Sequence, residues 1–63
     1  MEILILTDEP VFSFGLRVQF QKWGFTWVEI VETCQLAIQS IRKQVPALII
    51  LDEKFLQALF LIK

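Results

Sequence analysis

Ala47-Leu48-Ile49-Ile50-Leu51 is an apolar run with no polar interruption, and it stops at Asp52. Branched side chains without alternation mark a strand covered on both faces, the pattern of a parallel sheet between helices. Such a strand constrains the rest of the chain, because other elements must lie above and below it. Pro46 lacks a backbone donor and breaks any preceding helix, so the strand is expected to begin at Ala47. Asp52 then falls at its carboxyl end, the edge at which open α/β sheets take ligands.

The same grammar occurs earlier. Ile3-Leu4-Ile5-Leu6 is a second continuous apolar run, followed by Thr7-Asp8-Glu9-Pro10. Pro10 suits the first turn of a helix, Thr7 or Asp8 can cap it, and Glu9 favours its positive end. That helix is expected over residues 10–23, with Phe12, Leu16, Phe20 and Trp23 on its inner face, widened by Val11, Gly15 and Val18. Ser13, Arg17, Gln21 and Lys22 take the opposite side, and Gly24 ends the helix. Residues 26–31 have the β-branched and aromatic content of a strand, and Glu29 hints at a sheet edge. Thr33 is a candidate cap for a second helix through Gln44, striped by Leu36, Ala37, Ile38, Ile41 and Val45, with Arg42 and Lys43 in its last turn. Trp23 and Trp27 flank the turn between helix and strand and read as core and edge packing rather than as a binding pair.

The order is strand, helix, strand, helix, strand, which right-handed crossovers turn into a βαβαβ half of a doubly wound α/β sheet. Residues 55–63 fit a helix by propensity, although Leu59-Phe60-Leu61-Ile62 also suits a strand. With the flavodoxin-like strand order 2-1-3, three parallel strands carry a helix on each face and the first and third are neighbours. Asp8 and Asp52 then converge at the switch point, with Glu9 nearby. Carboxylates gathered in this way repel unless a hard cation such as Mg²⁺ lies between them. A plainer reading of the same positions is a capping Asp8 and a solvated Asp52.

Size and charge bound the function. A chain of 63 residues is one domain at most and buries only about 60% of its unfolded surface. Yet 56% of its residues are hydrophobic and mean hydropathy is +0.61, so apolar surface is left for a partner, and a homodimer is expected. A net charge of −1 with no basic stripe argues against nucleic acid. No apolar run reaches the ~18–20 residues of a membrane span and Glu2 stands where a secretory signal carries a cation, so a cytoplasmic protein is expected. Cys34 is alone and reads as a small buried apolar residue, and histidine is absent. No nucleophile with a base and no glycine-rich phosphate loop is present, so the chain reads as a non-enzyme.

Together these phrases resemble a family, the receiver domain of two-component response regulators. The likeness spans about residues 2–54 and rests on Ile-Leu-Ile-Leu-Thr-Asp-Glu-Pro, Phe14-Gly15-Leu16, Trp23-Gly24-Phe25, Ala37 and the run from Pro46 to Asp52. The resemblance implies a receiver-like half domain over residues 1–54 and an apolar extension over residues 55–63. It implies that Asp52 is a phosphoacceptor served by a histidine kinase, and that Mg²⁺ is held by Asp8, Asp52 and the Lys54 carbonyl, with Glu9 as a possible further ligand. It also marks departures. Thr7 replaces the first acid, Leu56 stands where the family has proline, and the fourth and fifth strands with their Thr/Ser and Lys have no counterpart.

The expected function is therefore a truncated receiver-like signalling protein, a dimeric interaction module in phosphorelay with at most weak phosphoacceptor activity. The alternative is a fragment of a full-length response regulator phosphorylated at Asp52 with Mg²⁺. In order 2-1-3 the third strand is an edge that needs a neighbour. A second copy pairing through Leu48, Ile50, Phe55, Leu59 and Phe60 supplies one, and another receiver domain is a further candidate partner.

Overall fold

The first apolar run forms β1 (Ile3–Leu6), and α1 (Pro10–Lys22), β2 (Val28–Val31), α2 (Cys34–Lys43) and β3 (Leu48–Leu51) follow in the expected order. The computed structural model describes residues 1–56, of which residues 53–56 make one helical turn after β3. The helix or strand expected over 55–63 lies mostly outside the described residues, as do Leu59 and Phe60. The three strands form one parallel sheet of order β2-β1-β3. Ile3 pairs with both Val28 and Leu48, and Leu6 with both Val31 and Leu51.

β1 is central, and all four of its side chains are fully buried. Period-two alternation divides them between two cores. Leu4 and Leu6 join Met1, Val31 and Ala37 on the face covered by α2, while Ile3 and Ile5 join Phe20 and Val28 beneath α1. Each such side chain contributes roughly 2 kcal/mol of burial, so β1 holds the two layers together.

β3 departs from expectation. Its sequence reads as buried on both faces, yet Leu48 is 46% and Ile49 41% exposed. Leu48 N donates to Glu2 O and Asp52 N to Leu6 O, so the alternating backbone groups of Ile49 and Leu51 face away from β1, where no strand lies among the described residues.

α1 begins at Pro10, but Glu9 is its N-cap and no side chain caps it, contrary to the roles expected of Thr7 and Asp8. Its buried side is Ser13 and Phe20 with Leu16 packed beside them, so the helix is rotated from the expected face. Ser13 tolerates burial because its Oγ donates to Pro10 O at 3.1 Å. Phe12, Phe14, Trp23 and, at 89%, Val11 remain exposed. The C-terminus follows expectation. Gly24 has φ +98°, Gly24 N donates to Gln21 O and Phe25 N to Phe20 O, and the Phe20 and Phe25 rings meet edge-on at 5.8 Å. This is a Schellman ending with its hydrophobic contact. In α2, Thr33 Oγ1 accepts from Leu36 N at 3.1 Å, a cap that contributes about 1 kcal/mol. Ala37 is buried, Cys34 only half-buried, and Leu36 and Val45 are exposed, so the inner stripe is narrower than expected. Among the described residues no helix is long and apolar enough to cross a membrane.

Candidate functional site

The sheet ladder runs one residue beyond β1 and β3. Thr7 N donates to Val31 O at 3.1 Å, and Asp52 N to Leu6 O at 2.9 Å. Parallel pairing therefore sets Thr7 and Asp52 side by side at the carboxyl rim. The Thr7 hydroxyl is buried there and donates to Asp52 Oδ2 at 3.2 Å, while accepting from Glu9 N at 3.2 Å. Asp52 also starts the turn that follows it. Its carbonyl accepts from Phe55 N at 2.9 Å and its Oδ1 lies 3.4 Å from Lys54 N.

That turn folds Lys54 back over the rim. Its Nζ is in direct contact with Asp8 Oδ1 and lies 3.9 Å from Asp52 Oδ2. The two aspartates expected to share a mouth thus share one ammonium. The hydrogen bond from Lys54 to Asp8, helped by the charges of Asp8, Asp52 and Glu9 and opposed by partial desolvation, raises the Lys54 pKa above its ordinary 10.5. The Phe55 ring lies 5.8 Å from Nζ, and the side chain of Phe55 packs against the core under α2. Glu9 is exposed and touches neither aspartate through a hydrogen bond or ion pair among the described residues.

As arranged, these donors suit a divalent cation poorly. Mg²⁺ keeps several of its own waters and needs only one or two carboxylates, so ligand number is not the obstacle. The obstacle is what the carboxylates already hold: the Thr7 hydroxyl offers its proton to Asp52, and the Lys54 ammonium lies between Asp8 and Asp52. Among the described residues no group of three or more His, Cys, Asp or Glu side chains gathers.

The opposite rim holds a cleft that the sequence does not reveal. It encloses about 260 Å³ between Met1, Trp27, Glu29, Ser40, Lys43 and Gln44. Ser40 Oγ donates to Glu29 Oε1 at 2.7 Å, tying α2 to β2, and the N-terminal ammonium donates to Gln44 Oε1. Glu2 fastens the start of β1 to the chain entering β2. Its Oε1 accepts from Thr26 N, Thr26 Oγ1 and Trp27 N at 2.8, 3.0 and 3.2 Å. These bonds, those from the Thr26 and Trp27 amides first, hold its carboxyl below the ordinary 4.5.

No protein-family model matches the chain, and no curated protein or solved structure matches it significantly.

Proposed function

We propose that this chain is a receiver-like half domain with the flavodoxin-like winding, acting as a cytoplasmic dimeric interaction module in phosphorelay signalling. One observation supports this reading above the others. The order β2-β1-β3 brings Asp8 and Asp52 to one ammonium at the carboxyl rim, where a doubly wound sheet places its site. Asp52 is the candidate phosphoacceptor. An Asp52 oxygen bonds to phosphorus while the donor's P–N or P–O bond breaks and its electron pair leaves with the imidazole or carboxylate. Protein catalysis of such transfer is mostly positioning and charge neutralisation. This rim offers one hydroxyl, one amide and one ammonium for that purpose, so transfer is slow.

Interaction is the main role. The bare edge of β3 pairs with β3 of a second copy, giving a six-stranded sheet with twofold symmetry, and Leu48, Ile50 and Phe55 lie along this contact. Residues Leu59 and Phe60 belong to the same proposed contact by sequence. The exposure of β3 on edge and face equally favours a second reading, in which this chain is the first half of a full response regulator and a continuing sheet covers β3. A histidine kinase or another receiver domain is the partner in that case.

Incubation with acetyl phosphate followed by intact mass measurement tests the phosphoacceptor role. A phosphoryl adduct that disappears in Asp52→Asn is the expected result. No adduct, or one that persists in Asp52→Asn, defeats it. Sedimentation of a folded monomer at micromolar concentration defeats the dimer.

A further inference from the structure

The misfit between the carboxylate rim and a dication points to what neutralises it. We infer that the Lys54 ammonium is the resident cation of the Asp8–Asp52 pair, taking the place a divalent metal would hold and making the rim metal-independent.

This assignment of Lys54 presupposes the receiver-like acidic site proposed above, and reach is its first support. Lys54 lies two residues past Asp52, on the helical turn that Asp52 initiates, so its backbone is anchored to the carboxylate that its side chain serves. Nζ contacts Asp8 Oδ1 and stands 3.9 Å from Asp52 Oδ2. A metal ion bridging the two carboxylates needs the same space. Charge gives the second reason. Two carboxylates and one ammonium leave a single net negative charge, half of what the carboxylates alone present to a dication. Thr7 gives the third, because its buried hydroxyl turns a proton toward Asp52 where an acid would turn a lone pair toward a metal. A dication approaching this site meets like charge, and must first expel the lysine.

The consequence is a site in which Lys54, rather than a dissociable ion, sets the electrostatics around Asp52. Its occupancy then does not vary with divalent concentration. Lys54 is half-exposed, so Lys54→Met keeps an unbranched side chain of similar length and removes the charge together with the hydrogen bond to Asp8.

The test is titration of the full chain with Mg²⁺ by calorimetry and with Mn²⁺ by electron paramagnetic resonance, on wild type, Lys54→Met, Lys54→Gln and Lys54→Met/Asp8→Asn. Far-UV circular dichroism confirms that each is folded. Removal of the ammonium is expected to tighten divalent binding roughly tenfold, by the size of one like charge about 4 Å from the ion. Asp8→Asn in the Lys54→Met background is expected to abolish the gain. Equal affinity in wild type and both Lys54 variants overturns the inference, as does a gain that survives Asp8→Asn. Acetyl phosphate labelling reads the phosphoacceptor role separately. An adduct in wild type together with unchanged metal affinity in the variants rejects the resident cation and keeps the receiver reading, and tighter metal binding without any adduct does the reverse.

Discussion

β1 and β3 have the same side-chain inventory, two isoleucines and two leucines each, and lie side by side with Leu4 opposite Ile49 and Leu6 opposite Leu51. Each is followed by an aspartate at the same rim. Yet β1 is wholly buried, whereas the first two residues of β3 are nearly half exposed. Hydrophobic composition does not distinguish them. Position does, because β1 has a strand on either side and a helix across each face, whereas among the described residues β3 has one neighbour and little cover. A strand written for the interior and placed at an edge keeps apolar surface in contact with water.

The sharpest way to break this comparison is truncation at matched positions. Leu4→Ala is expected to cost about 2–5 kcal/mol, enough to unfold a domain of this size, whereas Leu48→Ala is expected to cost about 1 kcal/mol. Urea unfolding at low protein concentration measures both, and equal costs would remove the distinction between the strands. If a second copy covers β3, the Leu48→Ala cost climbs with protein concentration while the Leu4→Ala cost does not.

A backbone change separates the strands next. Ile49→Pro deletes an N–H that faces away from β1, so the fold is expected to be retained and, where a second copy pairs with β3, sedimentation is expected to shift from dimer to monomer. Leu4→Pro, inside a strand paired on both sides, is expected to abolish the folded state. A dimer that survives Ile49→Pro places the association elsewhere.

Smaller effects come from the charges that bracket the two strands. Glu2, just before β1, has a folded pKa below its ordinary 4.5, so its contribution is present above that value and is lost as pH falls through the depressed one. The thermal midpoint is expected to drop on acidification below 4.5, and Glu2→Gln to remove that part of the drop. Lys54, just after β3, behaves oppositely. Its raised pKa makes its contribution complete below 10.5 and lost as pH rises beyond it, which NMR of the residues around Asp8 can follow. Because Lys54 is half-exposed in a surface pair, this is the smallest effect.

Much of the frame was legible before any coordinates. Pro10 and Gly24 bracket α1 because one lacks a donor that the first turn does not need and the other accepts a left-handed φ. Thr33 was readable as a cap, Glu29 as a sign of an edge strand, and the two apolar runs ending in acid as parallel neighbours. The rotation of α1 was not legible. Phe12 and Trp23 outweigh Ser13 on a hydrophobicity scale, yet Ser13 is inside because its hydroxyl finds the Pro10 carbonyl. The role of Lys54 was also hidden, since the resemblance drew attention to its carbonyl and the structure brings its ammonium to the rim. The cleft beside Trp27 joins residues more than 40 positions apart, from Met1 to Gln44, and no local pattern announces it.

Among the described residues, local chemistry determined which stretches become strands and helices and in what order they come, with ends placed to within about two residues. Dihedral preference, capping and apolar continuity all act within a few residues. Which faces are covered, and which charges meet, was decided only when β1 took the centre of the sheet. Burial and ion pairing depend on neighbours brought from far along the chain, and two strands of the same composition have opposite surroundings once only one of them lies between the others.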